Sequence, residues 1–320
     1  MTDALKRRAL CLGFGSLALG GGGAFASRQA ACSRSSLAFG TTVRVQAIAA
    51  DEKIAETACA AAMVAIHRVE RLMSVYDSHS EVGRLNRHGR LARPDPWTLA
   101  VLRQASAFAA SSDGAFDVTV QPLWRLFQRH AERGGVPSEE DVAAVRSLVG
   151  WRGLSVDEAE LRLARPGMAI TLNGIAQGFA ADRACETMRA AGAVAGLVDA
   201  GELASLGRAL SGDPWSVALQ VPHHGREEFI ALDACVATSA DSPSHFSADR
   251  RHHHIFDPRS GWSPTALSAV SVLAATATQA DAWSTAIMVG GDRLARHALT
   301  HREVQRVWRV DKQGRASWLS

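Results

Sequence analysis

The sequence predicts an α+β protein, largely antiparallel sheets with packed helices in a single globular unit. Three observations lead there. Short runs such as residues 40–48 alternate apolar and polar side chains, the period of a half-buried strand. Longer stretches, residues 51–73 above all, carry apolar residues at helical spacing. Turn residues, Pro166-Gly167 and Pro222-His-His-Gly225, separate strands that follow one another directly along the chain.

Composition narrows the function. The chain has 320 residues, of which 47% are hydrophobic, enough for a sizeable core. The net charge is only +3, and its Arg residues are spread without a basic run interleaved with aromatics, so nucleic acid is excluded as a partner. Cys11, Cys32, Cys59, Cys185 and Cys235 show no C-x-x-C spacing, so neither a zinc knuckle nor a redox motif is indicated. Cys59 and Cys185 lie in apolar helical patterns and read as small core residues. Spacing alone selects no disulfide.

Residues 1–26 read as an export signal. Lys6-Arg7-Arg8 is a charged start, an apolar Gly-rich run follows, and Ala24-Phe25-Ala26 fits a small-x-small cleavage site. The paired Arg suggests twin-arginine export, with an ordinary secretory signal as the alternative. Either route implies a periplasmic protein. The apolar run is too short for a stable membrane span. Residues 27–39 read as a linker and 40–320 as the folded unit.

After the strand at 40–48, the helix at 51–73 sets Ile54, Ala58, Ala62, Ile66, Val69 and Met73 on one face. Residues 78–86 read as a polar segment and 90–96 as a turn broken by Pro94 and Pro96. A helix spans 97–110, with Gly114 in the C-cap role. Another spans 138–149, opened by Ser138 with Asp141 completing a partial capping box. Strands at 160–164 and 168–172 form a hairpin around Pro166-Gly167. Further strands lie at 196–200, 215–221, 229–237 and 267–275, and 238–242 reads as a polar loop. A short helix from Thr278 stops at Gly290-Gly291. A last helix and a strand around 304–310 close the chain.

Thr171-Leu-Asn-Gly-Ile-Ala-Gln-Gly-Phe-Ala-Ala-Asp182 is the stretch that suggests chemistry. It leaves an apolar run, turns at Gly174 and enters a helix with Ile175 and Phe179 one turn apart. Such a helix start presents unpaired backbone N–H groups, which attract phosphate. It is neither a Walker loop nor a dinucleotide fingerprint, because no Lys-Ser/Thr follows Gly178 and G-x-G is missing. Asp281 and Thr285 stand at i and i+4, so a carboxylate and a hydroxyl share a helix face. Hard oxygens of this kind suit Mg²⁺ that also binds phosphate; the competing reading is a first-turn carboxylate facing the helix dipole. His252-His253-His254 cannot jointly ligate one ion from a strand, because His253 faces away from its neighbours. One functional His is the expectation.

Five stretches, in order, resemble the ApbE-type FAD:protein FMN transferases. They are Met73-Ser-Val-Tyr-Asp77, Asp113-Gly-Ala-Phe-Asp-Val-Thr119, Leu172-Asn-Gly-Ile-Ala-Gln-Gly178 with Asp182, His254-Ile-Phe-Asp-Pro-Arg-Ser-Gly261, and Ala280-Asp-Ala-Trp-Ser-Thr285. The form of 172–178, followed by Gly201-Glu202-Leu203, is similar to the NosX branch, which accompanies nitrous-oxide reduction and flavinylates the membrane protein NosR. The resemblance implies an ApbE-like (T-fold-like) unit with FAD in a cleft. It implies Mg²⁺-dependent transfer of FMN from FAD to a Ser or Thr of an acceptor protein, with release of AMP. By the same resemblance Met73, Tyr76, Ala115, Phe116 and Asp117 hold the ring systems of FAD, with His254 and Ile255 beside it. The pyrophosphate lies over the turn that carries Thr171 and Gln177. Mg²⁺ bridges it to Asp281, Thr285 and a carbonyl near Gly174, and His254 is the general base.

The family's usual Asp-Leu-Gly-Gly-Ile-Ala-Lys-Gly differs here at three places. Asn173 tolerates a left-handed backbone. Gln177 keeps a hydrogen-bond donor without the Lys charge. Thr171 removes a carboxylate. Two alternatives to the transferase follow: a FAD carrier without catalysis, and a Mg²⁺-dependent FAD pyrophosphatase giving FMN and AMP.

Overall fold

The computed structural model describes residues 29–242, 244–247 and 249–319. The export-signal reading of residues 1–26 lies outside the described residues. Strands β1 (Ala30–Ala38) and β2 (Thr41–Ala49) open the domain as an antiparallel hairpin. The linker expected over 27–39 is therefore mostly strand. Its sequence hides this because β1 is a polar edge strand, fixed by pairing with β2 and not by a buried face of its own.

Helix α1 (Glu52–Met73) forms as its periodicity dictates, and Asp51 accepts the Ile54 N–H at 2.8 Å to cap it. Helix α2 (Glu81–His88) replaces the expected polar segment. Ser80 caps its start, left-handed Gly89 ends it, and Val82 and Leu85 supply just enough buried surface. Strand β3 (Arg90–Ala92) and helices α3 (Pro96–Ser111), α4 (Gln121–Ala131) and α5 (Glu139–Arg146) follow. The Ser138–Asp141 capping box is complete.

The hairpin expected around Pro166-Gly167 does not form. Strand β5 (Glu160–Leu163) instead lies between β3 and β4 (Leu154–Val156). Residues 168–172 belong to no strand. Asn86 replaces a ladder there, its side chain accepting the Ile170 N–H and donating to the Ile170 carbonyl. The Thr171 N–H donates to the Val118 carbonyl.

Helix α6 (Ala176–Ala190) leads to β6 (Ala195–Asp199) and β7 (Leu203–Leu206). The hairpin β8 (Trp215–Val221) and β9 (Arg226–Leu232) follows, then β10 (Cys235–Ala240) and β11 (Leu267–Ala274). Two corrections arise here. The strand expected at 229–237 breaks between β9 and β10, and residues 238–240, expected as loop, extend β10. Their polar side chains misled the reading: Thr238 pairs with Ser271, and Ser239 with Ser284. Helix α7 (Ala277–Ala298) does not stop at Gly290-Gly291 but kinks at Gly291, where φ is 62°. Strands β12 (Val304–Asp311) and β13 (Ala316–Leu319) finish the chain.

Eight strands make one antiparallel sheet in the order β1-β2-β6-β7-β10-β11-β12-β13. Helices α1, α6 and α7 pack on one face. The β8–β9 hairpin covers part of the other, where Trp215, Val217 and Leu219 meet Leu197, Val236 and Leu273. Cover on both faces explains why β11 is buried at every position and why residues 196–200 lack polar alternation. A smaller apolar cluster joins α4 and α5 to Phe256.

Candidate active-site cleft

The turns at 115–121 and 171–177, the corner between β6 and β7, strand β10, residues 254–256 and α7 enclose one cleft. Its cavity volume of about 290 Å³ is at the lower end for small-molecule sites. Tyr76, Ala115, Phe116, Asp117, Thr171, Gly174, Gln177, His254, Ile255, Asp281 and Thr285 all line it. Met73 does not. It is the last residue of α1 and its side chain is buried in the core, so only Tyr76 reaches the cleft from that stretch. The Tyr76 ring meets Trp124 edge-on at 6.1 Å.

The floor is the contact of α6 with α7. Asp182 accepts the N–H groups of Ala277 (2.8 Å) and Thr278 (2.9 Å), and Thr276 and Gln279 form a capping box. Asp182 is thus the clamp between the two helices. At Gly178 a Cβ would lie 2.3 Å from the Ala277 carbonyl oxygen, so only glycine permits this approach. The Gly178 N–H donates to Asp281 Oδ2 at 3.0 Å. One turn further, Thr285 packs under Gly174, whose Cβ would sit 2.9 Å from Thr285 Oγ1. Ser239 Oγ completes the arrangement, 3.1 Å from Thr285 Oγ1 and 2.8 Å from Ser284 Oγ.

The start of α6 differs from the expectation of open N–H groups. Ile175 and Ala176 both donate to the Leu172 carbonyl, and Gly178 to Asp281. Those three donors have protein acceptors. Asp117 is similar: its carboxylate accepts from the Thr119 N–H and hydroxyl and from the Trp151 N–H, which fixes the turn under Phe116.

Electrostatics single out the floor. Asp281 is 3% exposed. Burial pushes its carboxyl up to about 7, the Gly178 N–H opposes this, and Asp182 adds to it. Burial, then the charge of Asp281, raises Glu202 well above the usual carboxylate range, while Glu202 accepts the Thr238 N–H at 2.9 Å. Neither Asp281 nor Glu202 has a Lys or Arg ion-pair partner among the described residues. The Asp281 carboxylate and the Thr285 hydroxyl, with Gly174 lining the same cleft, are hard-oxygen groups that would suit Mg²⁺. The described residues hold no group of three His, Cys, Asp or Glu placed for a metal. An ion here would therefore complete its shell with substrate oxygens or water.

The three His residues have different surroundings, but not by strand alternation: residues 252–254 form no strand, only an isolated bridge from His253 to His245, and the His253 and His254 rings meet edge-on at 6.2 Å. His252 packs against Phe127 and Trp262. His253 is fully buried, with Nε2 2.9 Å from the Pro264 carbonyl, and burial lowers its pKa. His254 lines the cleft with Nδ1 3.1 Å from the Ser244 carbonyl. A carbonyl only accepts, so Nδ1 carries the proton and Nε2 is the basic nitrogen.

Two expected outcomes arise from these contacts. Gly201 has φ of 98°, and a Cβ there would come 1.9 Å from Gln177 Nε2, which donates to the Ala200 carbonyl. Gly201→Ala is expected to cost about 2 kcal/mol in chemical denaturation, through backbone strain and displacement of Gln177. An unchanged midpoint would show that the corner relaxes freely. For His253, the folded pKa lies below the ordinary 6.5. The unfolded chain therefore binds its proton first, and stability falls as pH drops below 6.5, by at most about 1.4 kcal/mol per unit from this group. Lys312, Asp241 and His252 also act on it. His253→Gln is expected to flatten that acid slope in denaturation series; a slope identical to wild type would assign it to other groups.

The sequence reading gave no role to Glu202, Ser239, Gln121 or Trp124, all of which line the cleft. Gly201-Glu202 at the end of a buried strand was a usable signal. Gln121 and Trp124 had none, because α4 went unread.

The fold and site together define an antiparallel α+β protein with an aromatic-walled, carboxylate-floored cleft of small-molecule size. The chain belongs to the ApbE family, whose model matches residues 39–308. It is 30% identical over 301 residues to the FAD:protein FMN transferase of Salmonella typhimurium, spanning 88% of this chain and 85% of that protein. A Klebsiella pneumoniae protein of the same name is 29% identical over 300 residues, with the same coverage. The crystal structure of an ApbE protein from Thermotoga maritima superposes with a TM-score of 0.80 at 29% identity, covering 90% of this chain and 96% of that one. The apo flavinyl transferase ApbE of Pseudomonas stutzeri gives 0.78 at 29% identity, covering 91% and 94%.

Proposed function

We propose that this chain is a Mg²⁺-dependent FAD:protein FMN transferase, acting on a Ser or Thr of a periplasmic electron-transfer protein of NosR type. The observation that carries this reading is the cleft that gathers Asp281, Thr285, Gly174 and His254, in a chain of this family. Asp281, Thr285 and the Gly174 carbonyl would hold Mg²⁺, which when bound neutralises the pyrophosphate and the leaving AMP. Phe116, Tyr76 and Trp124 offer faces for the flavin. His254 Nε2 accepts the proton of the acceptor hydroxyl as its oxygen bonds to the FMN phosphorus and the phosphoanhydride breaks. The NosR-type acceptor rests on the form of residues 172–178 with Gly201-Glu202-Leu203, and the periplasmic setting on residues 1–26.

Product analysis tests the reading. FAD and Mg²⁺ are supplied with and without a NosR-type acceptor fragment. AMP that accumulates only with acceptor supports the transferase. AMP and free FMN without acceptor would replace it by a pyrophosphatase, and bound FAD with no AMP by a carrier.

A further inference from the structure

We propose that Cys32 and Cys59 form a disulfide that ties the edge strand β1 to helix α1. Cys59 Sγ lies 3.2 Å from the Cys32 carbonyl oxygen and 3.9 Å from that of Val45, and the Cys32 side chain is close enough to act on the Cys59 thiol. A second contact fixes the same alignment: Ser36 Oγ lies 3.0 Å from His67 Nε2. From Cys32 to Ser36 the strand rises roughly 13 Å, and from Cys59 to His67 the helix rises about 12 Å. Strand and helix therefore run side by side, with both pairs in register.

The other two described cysteines differ. Cys185 and Cys235 are both buried, so neither presents a sulfur to solvent. Cys32 is half-exposed and is the point of entry. The location also gives the bond a purpose. β1 pairs with β2 alone and leads to Phe39, which lines the cleft and donates its N–H to Glu70 at 2.6 Å. A crosslink one strand length away would anchor this segment of the cleft rim. The inference does not depend on the transferase reading.

The oxidant is a small or protein disulfide. The Cys32 thiolate attacks it, forming a mixed disulfide and releasing one thiol. The Cys59 thiolate then attacks Cys32 Sγ and releases the second thiol. Two electrons pass to the oxidant, and the two protons lost by the cysteines end on the released thiols.

The test incubates the full chain with oxidised glutathione, alkylates without reduction, and maps the peptides by mass spectrometry. The expected result is a linked pair containing Cys32 and Cys59 that disappears on reduction. The oxidised protein should melt roughly 5–10 °C above the reduced one, and Cys32→Ser should melt like reduced wild type in both conditions. A Cys32 that stays alkylatable, a stable glutathione adduct at Cys32, or a redox-dependent Tm that survives in Cys32→Ser would each overturn the proposal.

Discussion

Asp281→Asn is expected to reduce Mg²⁺-dependent turnover of FAD by roughly 10³-fold or more, the scale of losing a charge that stabilises a phosphoryl transfer. The substitution keeps an oxygen for the Gly178 N–H and removes only the charge. The fold should not suffer. Burial pushes the folded carboxyl up to about 7, from an ordinary 3.8, so the native state binds the proton more tightly than the unfolded chain. Stability is then greatest below 3.8, declines as pH rises, and carries the full burial penalty above 7. Without Mg²⁺, Asp281→Asn should match wild type at low pH and exceed it at pH values above 7. Thermal denaturation across pH, set beside the rate, checks both halves. A variant that turns over normally removes Asp281 from metal binding, and one that is destabilised at high pH contradicts the electrostatic account.

His254→Ala is expected to lower the transfer rate by about 10²–10⁴ while FAD affinity changes little. The Nδ1 contact to Ser244 orients the ring and does not itself need a ligand. Removing the imidazole takes away the proton acceptor and leaves the floor around Asp281 and the wall around Phe116 in place. Equilibrium FAD binding, measured beside single-turnover rates, separates the roles. If affinity collapses in step with rate, His254 is a binding residue and another group takes the proton.

What could be read in advance follows from how each element is stabilised. Helix α1 was legible because one apolar stripe and the cap at Asp51 both lie within its own residues. Strand β11 was legible as a mostly apolar run, interrupted only by Ser268 and Ser271. Strand β1 was not, because its order comes from β2 and α1 and not from its own pattern. Residues 238–240 were misread because their hydroxyls serve the site and not the core. Tertiary partners decided those cases. Within the site, spacing brought Asp281 and Thr285 to one helix face, whereas the alternation expected of His252–His254 failed, because no strand forms there and the His253 and His254 rings touch. The coupling of Asp281 to Gly178 and to Glu202 joins residues far apart in sequence. Nothing local could announce it. Asp182 was noticed as part of a motif, but its bonds to Ala277 and Thr278 assign it to the α6–α7 clamp.

The most direct test of the account follows the acceptor. A NosR-type fragment is incubated with this chain, FAD and Mg²⁺, denatured, and examined by mass spectrometry and in-gel flavin fluorescence. The account predicts a fragment heavier by FMN less water, fluorescent after denaturation, and unlabelled when its acceptor Ser or Thr is replaced by Ala. An acceptor that stays unlabelled while FAD is bound or hydrolysed would contradict it.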